Sequence, residues 1–172
     1  MYQPGDLIVY GSNGVCRVLA VGEPEAVYGN EHRIYYTLQP VHGTETIYAP
    51  VDSRVAMRPV LTYQEAEQLI LRFPAIEEDV VTDQNVQMLS RYYQTSFQTN
   101  SCEELVRLLK TIHVKNTAAR KSGRRPGKVE ERYQKRAEEL LYGELSVALN
   151  IPLQDVPQHI CQMLKTKDIS NG

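Results

Sequence analysis

The sequence predicts an α+β protein in which a small antiparallel β barrel is followed by an all-α helical bundle. Two observations predict this class. In the first sixty residues, short β-branched runs are separated by glycine-containing turns, a pattern typical of small antiparallel barrels. From Thr62 onwards, apolar residues recur at helical spacing instead. We therefore expect two domains, residues 1–60 and residues 61–172.

Short apolar segments define the expected strands of the first domain. They include DLIVYG, VCRVLAVG, HRIYYTLQPV and TETIYAPV. The first two are joined by GSNG (Gly11 to Gly14), whose Asn-Gly pair suits a tight turn with positive φ. Pro50 and Pro59 fall at strand ends, where a missing N–H group is tolerated. The number and shortness of these segments favour a small barrel.

The first two helices of the second domain are expected between Thr62 and Phe97. Thr62 and Glu65 form a capping-box pattern, in which each side chain can bond the other residue's backbone N–H. Pro74 ends this first helix or lies just past its end. The second helix is expected to begin after Thr82 or Asp83.

Three further helices are expected towards the end of the sequence. Ser101 and Glu104 form another capping-box pattern and open the third helix. Gly123 and the Pro126-Gly127 pair interrupt the helical pattern after it. The last two helices are expected from about Val129 towards Leu149 and from Val156 to Leu164.

No residue pattern indicates catalysis or metal binding. The four histidines are scattered, and none lies four residues from another histidine or from a cysteine. The segment GRRPGKV has the wrong glycine spacing for a phosphate loop, and Val129 stands where such a loop needs Ser or Thr. A segment around Pro157 resembles a helix-turn-helix, but the proline and the scarcity of basic residues favour a packing helix. We expect no enzyme activity, no cofactor, no metal and no small-molecule substrate.

Cysteine usage and hydropathy indicate the compartment. Cys16, Cys102 and Cys161 are far apart and form no CxxC pair, which favours reduced thiols over a disulfide framework or a zinc site. No signal-peptide pattern begins the sequence, and no apolar window is long enough to span a bilayer. We therefore expect a cytoplasmic protein that does not enter a membrane.

Charge is distributed very unevenly along the chain. Residues 110–136 hold ten Lys or Arg against two Asp or Glu, a net charge of +8. The net charge of the whole chain is −2, so all other residues together carry −2 − 8 = −10. Such asymmetry bears on the choice of partners, because a basic patch attracts polyanions.

The densest part of this basic segment is KNTAARKSGRRPGK, residues 115–128. Gly123 and Pro126-Gly127 are expected to present it on a turn between two helices, where Arg and Lys suit phosphate binding. The alternative is a solvated loop that binds nothing. We interpret the segment as a contact to nucleic acid without base readout. The candidate DNA-binding residues here are Lys115, Arg120, Lys121, Arg124, Arg125 and Lys128.

The segment LSRYYQ adds candidates upstream. Arg91 lies beside Tyr92 and Tyr93, and an exposed tyrosine next to a basic residue can stack on a base. Tyr93 follows Leu89 at helical spacing and is expected in the core, so Tyr92 is the candidate for exposure.

In both of its halves the chain resembles the CarD-like family of bacterial transcription regulators. The segments PGDLIVYGSNGVCRVLAV, YYTLQP and TIYAPVD look like the RNA-polymerase-interacting domain that this family shares with transcription-repair coupling factors. The segments LSRYYQ, EELVRLL and KRAEELLYGELSVAL are similar to the CarD-like helical domain. The resemblance covers roughly residues 3–150, and the absence of a phosphate loop favours a CarD-like regulator over a fragment of a coupling factor.

The resemblance implies a regulator of transcription initiation. In this family a Tudor-like N-terminal barrel docks on the β subunit of RNA polymerase, and the helical domain contacts promoter DNA at the upstream edge of the opened bubble, which favours the open complex. Thr46, Ile47, Tyr48 and Pro50 would then be the polymerase contacts. The expected partners are therefore the polymerase β subunit and promoter DNA, and the regulator is expected to act as a monomer. The alternative is a polymerase-tethered adaptor whose helical domain binds a protein instead of DNA.

Two residues depart from the family pattern. Members often carry Arg where Tyr48 stands, and many carry a tryptophan wedge in the segment that matches LSRYYQ. This chain has no Trp, and the matching position lies near Met88 or Leu89. Met88 joins Arg91 and Tyr92 as a candidate DNA contact, and the basic segment is expected to carry more of the DNA binding.

Overall fold

The chain divides into two units, residues 1–60 and residues 61–172. A computed structural model describes residues 1–25, 32–81 and 85–171, with side chains as far as residue 167 in the last helix. The α+β class is confirmed, because the first unit is built on a β-sheet and the second on helices.

The N-terminal unit contains one antiparallel five-stranded sheet. Its strands are β1 (Leu7–Tyr10), β2 (Val15–Gly22), β3 (Tyr35–Pro40), β4 (Ile47–Pro50) and β5 (Met57–Pro59). The strand order is β4-β3-β2-β1-β5, so β4 and β5 are the two edges. A bulge at Leu19 shifts the register between β2 and β3, and this extra residue is left exposed.

The expected barrel is wrong: the sheet is open. Closure would require β4 and β5 to pair, and these are the outer strands in the part of the chain that the structure describes. Along an edge strand, successive N–H groups point alternately towards the neighbouring strand and away from it. Two hydrogen bonds show which residues of β4 and β5 face inwards: Val51 N–H donates to the Ile34 carbonyl, and Gly11 N–H donates to the Ala56 carbonyl. By this alternation Pro50 and Pro59 lie at positions whose N–H would face outwards. A closing strand would find no donor there.

The connection between β1 and β2 differs in detail from the expected Asn-Gly turn. Gly11–Asn13 form one turn of 3₁₀ helix, and positive φ falls on Gly11 (48°) and Gly14 (78°) rather than on Asn13. A Cβ at Gly11 would lie 2.6 Å from Val55 Cγ1. The glycines are therefore required both by backbone conformation and, at Gly11, by the close approach of a neighbouring loop.

One face of the sheet forms the core of the N-terminal unit. Its buried members alternate along the strands, as a sheet with one covered face requires. They are Ile8, Tyr10, Cys16, Val18, Tyr36, Leu38 and Ala49. Burial, and more weakly the nearby Glu45 carboxylate, raise the pKa of the Cys16 thiol to about 11, so this cysteine stays protonated inside the core.

Five helices build the C-terminal unit. They are α1 (Tyr63–Arg72), α2 (Val86–Gln98), α3 (Cys102–Lys121), α4 (Lys128–Leu149) and α5 (Val156–Asn171). The capping box of Thr62 and Glu65 is confirmed, with both reciprocal hydrogen bonds formed. Asn85 caps α2 through its side-chain oxygen; the expected start at Thr82 or Asp83 lies outside the described residues. The last helix is longer than expected, running to Asn171 rather than Leu164.

A continuous apolar core joins the five helices. Its fully buried members include Ile70, Tyr93, Leu108, Leu141 and Val156. Two polar contacts tie segments to this core. Leu61 donates its N–H to Glu144 Oε2 at 3.0 Å, and the Cys102 thiol donates to Glu144 Oε1 at the same distance. In the described part of the chain, none of the helices combines the length and hydropathy needed to span a membrane.

Candidate functional sites

Strand β4 carries the candidate polymerase contacts. Ile47 is half-buried against the sheet core and Ala49 is fully buried, so their side chains point inwards. Tyr48 lies between them and is 37% exposed. Thr46 precedes the strand and is exposed, while Pro50 at its end is half-buried. Because side chains alternate between the two faces of a strand, Tyr48 is the residue of this strand that faces outwards.

The backbone of β4 offers an open edge. The ladder with β3 pairs Leu38 with Ile47 and Tyr36 with Ala49. Because the Val51 N–H bonds to the Ile34 carbonyl at 3.1 Å, Ile47 and Ala49 take the hydrogen-bonded positions facing β3. The N–H and C=O groups of Tyr48 consequently face away from the sheet. No described strand pairs with them, so this edge can accept a strand from a partner.

A charged pair lies just past the end of β4. Arg33 donates from Nε and Nη2 to Asp52 Oδ1 at 3.1 and 2.8 Å. This hydrogen bonding, with smaller help from the arginine charge, holds the pKa of Asp52 below its usual range. The Ser53 N–H bonds to the Pro50 carbonyl at 2.9 Å. Strand β4 thus ends in a hydrogen-bonded turn.

The basic turn, residues 120–128, connects α3 to α4. Helix α3 ends at Lys121, Gly123 adopts φ 74°, and the Arg124 N–H returns to the Ala119 carbonyl at 2.8 Å. This geometry closes α3 with a left-handed glycine. Five cations of the turn are exposed, and no acidic side chain among the described residues bonds to them: Arg120, Lys121, Arg124, Arg125 and Lys128.

Lys115 is held apart from these five cations. Its Nζ donates to Glu130 Oε1 at 2.7 Å, and the Lys115 side chain is 27% exposed while that of Glu130 is 5% exposed. The Tyr93 hydroxyl donates to the same carboxylate oxygen at 3.1 Å. Lys115 therefore neutralises a buried acid between α3 and α4, and its charge is already compensated within the protein.

The Glu130 carboxylate lies over the start of α4. Burial raises the pKa of Glu130, but hydrogen bonds from Lys115, from its own backbone N–H and from Tyr93 outweigh burial and leave that pKa lowered. A Cβ at Gly127 would clash with Glu130 Oε2. Glycine at this N-cap position therefore makes room for the carboxylate that the first turn of α4 favours.

Two other cations, one in the basic segment and one just before it, bond to the backbone between α1 and α2. Lys110 Nζ donates to the Ile76 carbonyl at 2.6 Å, and Arg107 Nη1 donates to the Glu77 carbonyl at 3.2 Å. The Asp79 N–H bonds to the Thr111 hydroxyl at 3.0 Å. These contacts have a structural role. The net charge of residues 110–136 consequently overstates the number of cations that are available to bind a ligand.

The candidates on α2 have different environments. Met88 is 51% exposed and Arg91 is exposed, whereas Leu89 is 5% exposed and belongs to the core. Tyr93 is fully buried, as its spacing predicts. Tyr92 is half-buried, packs edge-on to Tyr93 with ring centroids 5.7 Å apart, and donates its hydroxyl to the Asp79 carboxylate.

Burial, followed by the hydrogen bond to Asp79, raises the pKa of Tyr92 above its usual range. The Tyr92 ring is therefore held within the fold and is less available to stack on a base than the sequence suggests.

Comparison with known proteins bears on the N-terminal unit. A family model described as the CarD-like/TRCF RID domain matches residues 2–61. The N-terminal unit is a CarD-like/TRCF RID domain. The resemblance to the CarD-like family, with the domain shared with transcription-repair coupling factors, is thereby confirmed over these residues. No curated protein matches the chain at a significant level.

The RID domain links this chain to RNA polymerase, since it is the polymerase-interacting domain of its family. The matched residues end at the first residue of the helical unit. Strand β4 and the residues Thr46 to Pro50 lie inside the match, and the basic turn lies outside it. The match therefore supports an interaction with polymerase and gives no information about contact with DNA.

Sequence reasoning missed Glu130 as a site residue. Its signal was present, because Glu130 and Glu131 are the two acids of the basic segment and stand in the first turn of a helix. Only the structure distinguishes them: Glu130 is buried and bonded to Lys115, while Glu131 is exposed. The fold thus places five exposed cations on one turn and pairs the half-buried Lys115 with Glu130. The five are Arg120, Lys121, Arg124, Arg125 and Lys128.

Proposed function

We propose that this protein is a non-enzymatic bacterial regulator of transcription initiation. It binds the β subunit of RNA polymerase through the open edge of its RID domain. It contacts promoter DNA without base readout through the basic turn, and stabilises the open promoter complex. It acts in the cytoplasm, as a monomer, on polymerase already bound to a promoter.

The open edge of β4 supports docking on the polymerase. Strand addition needs a row of accessible backbone donors and acceptors, together with outward side chains that select the partner. Tyr48 supplies both, since its N–H and C=O face the open edge and its ring is exposed. Thr46 extends the accessible surface towards the start of the strand. A tyrosine where relatives often carry Arg makes this contact less charged.

The observation that carries the DNA contact is the set of five exposed cations on one turn. A backbone phosphate is bound by charge and by N–H donors, both of which Arg and Lys provide. Arg124 and Arg125 lie at the tip of the turn, between the left-handed Gly123 and Pro126. Such contacts supply affinity and position, and they do not select a sequence.

The experiment measures co-elution with RNA polymerase and the lifetime of open complexes. The double variant Arg124→Glu/Arg125→Glu is expected to co-elute normally and to lose the effect on lifetime. The matched control is Arg72→Glu/Lys165→Glu, which makes the same change of charge at exposed sites of the same unit. If the control loses the effect as fully as the test variant, overall charge and not the basic turn governs the activity.

The adaptor alternative makes a different prediction for the same protein. An adaptor would bind polymerase but leave binding to free promoter fragments undetectable at low salt. DNA binding by the basic turn should be measurable at low salt and weaken steeply as salt rises, because each neutralised phosphate releases counterions.

A further inference from the structure

A cleft opens beside the basic turn within the helical unit. Its volume is about 700 Å³, and it lies between the first turn of α2, the last turns of α3 and the start of α4. Leu89, Ala119 and Val129 form its inner surface, where they are buried or half-buried. This volume falls in the range of clefts that hold small ligands, roughly 300–1,000 Å³.

The rim of the cleft is positively charged. Arg124, Arg125 and Lys128 line it, and all three are exposed. Lys115 and Glu130 also line it, but they bond to each other at 2.7 Å and contribute no net charge. The cleft therefore combines an apolar interior with a cationic rim, and its ligand should carry an apolar, flat or aliphatic group next to an anion.

We propose that this cleft binds an unpaired nucleotide of DNA, with the base inside and its flanking phosphates on the rim. The inference rests on the proposed contact with promoter DNA, and it adds a preference for melted over duplex DNA. An unstacked base presents an apolar face that apolar side chains and Arg guanidinium planes can cover. The neighbouring phosphates complement Arg124, Arg125 and Lys128.

Asn116 distinguishes a nucleotide from an acidic peptide as the occupant. Among the described residues of the lining it is the one neutral side chain with hydrogen-bonding groups, and its amide Nδ2 bonds to Gln134 Oε1 at a long 3.4 Å. An amide presents a donor and an acceptor side by side, the arrangement that pairs with the edge of a base. An aliphatic peptide side chain would leave this amide without a ligand bond.

The test compares two single-stranded probes of equal charge. One is a thymidine oligonucleotide of about eight nucleotides, and the other has the same length but abasic sugars throughout. Fluorescence anisotropy with the full-length protein at low salt gives both dissociation constants. The proposal expects the intact probe to bind at least about fivefold more tightly than the abasic probe.

A filled cleft provides the second measurement. Ala119→Phe places a ring against the inner surface, and it should reduce the preference to about onefold while leaving affinity for the abasic probe unchanged. Val114→Phe is the matched control, because Val114 is exposed on the same helix and does not line the cleft. Circular dichroism of both variants shows whether each remains folded.

Each other outcome overturns the proposal. Equal binding of intact and abasic probes would refute the base-binding cleft and leave the phosphate contact of the basic turn intact. Loss of preference in Val114→Phe as well as Ala119→Phe would place the base elsewhere. Tighter binding of an acidic leucine-containing peptide than of the intact probe would assign the cleft to a protein. Failure of both probes to bind would refute the DNA contact itself.

Discussion

The Lys115 ammonium lies 2.7 Å from the buried Glu130 carboxylate, joining α3 to the first turn of α4. These helices flank the basic turn, so the pair links the two helix ends between which Arg124 and Arg125 are presented. Lys115, which the sequence predicts as a DNA contact, therefore bonds to a buried acid beside the exposed cations of the basic turn.

Removing Lys115 should destabilise the helical unit. Lys115→Met leaves the Glu130 carboxylate buried without its cation, which we expect to lower the free energy of unfolding by about 2 kcal/mol. This is less than for a fully buried pair because the Lys115 side chain is 27% exposed. Urea unfolding gives the value. The double variant Lys115→Met/Glu130→Gln should recover part of the loss, and additive losses would show that the pair is not coupled.

Acid should destabilise the protein partly through Glu130. The Lys115 ammonium and the other hydrogen-bond donors hold the pKa of Glu130 in the folded state below its usual value. Its contribution to stability is therefore complete above the unfolded-state pKa and is lost as pH falls through the folded-state pKa. We expect Glu130→Gln to unfold less steeply between about pH 5 and pH 3 than the wild type. Identical acid-unfolding slopes for the two proteins would contradict this assignment.

Salt dependence should separate the two kinds of cation. The variant Arg124→Ala/Arg125→Ala removes two cations that neutralise phosphates. It should therefore make the slope of log affinity against log salt shallower by roughly 2. Lys115→Met/Glu130→Gln removes a compensated pair, and its slope should equal that of the wild type. Anisotropy with a promoter fragment at several salt concentrations measures both. A reduced slope in the Lys115 variant would mean that Lys115 reaches the phosphates.

The edge of β4 can be tested at Tyr48, where a proline removes both the outward N–H and the exposed ring. Tyr48→Pro removes an N–H that faces the open edge, so it should weaken polymerase binding at least about tenfold with little loss of stability. Ala49→Pro removes an N–H that faces β3 and should unfold the sheet instead. Pull-down of polymerase together with thermal unfolding distinguishes the two. Normal binding by Tyr48→Pro would exclude strand addition at this edge.

Met88 is an accessible apolar position for a wedge on α2. Met88→Trp places a larger ring at a side chain that is 51% exposed, and by wedging at the edge of melted DNA it should lengthen the lifetime of open complexes. Leu89→Trp enlarges a side chain that is 5% exposed and should cost about 1–3 kcal/mol of stability. A lifetime unchanged by Met88→Trp, in a folded protein, would show that α2 does not reach the melted DNA.

Local patterns in the sequence predict most of the secondary structure. Thr62 with Glu65 and the glycine-proline break at residues 123–127 depend only on neighbours a few residues away, and both appear as expected. Closure of the sheet, in contrast, depends on whether the two edge strands, β4 and β5, can pair with each other. The sequence places Pro50 and Pro59 at strand ends, but their shared outward orientation follows only from the register.

The candidate site is less accessible to sequence reasoning. A count of charges treats Lys110, Lys115 and Arg124 alike, although the first two are bonded within the fold and the third is exposed. Their difference lies in partners about fifteen or more residues away, the Ile76 carbonyl and Glu130. The spacing of Leu89 and Tyr93 predicts an exposed Tyr92, but its hydroxyl is held by Asp79 on a neighbouring segment.

The lifetime of open complexes formed by RNA polymerase on a promoter, after challenge with a competitor, tests the central claim most directly. The account predicts that the wild-type protein lengthens this lifetime. It also predicts that Tyr48→Pro and Arg124→Glu/Arg125→Glu each abolish the effect, the first through polymerase binding and the second through DNA contact. A lifetime that the wild-type protein leaves unchanged, or that the arginine variant lengthens as fully as the wild type does, would contradict it.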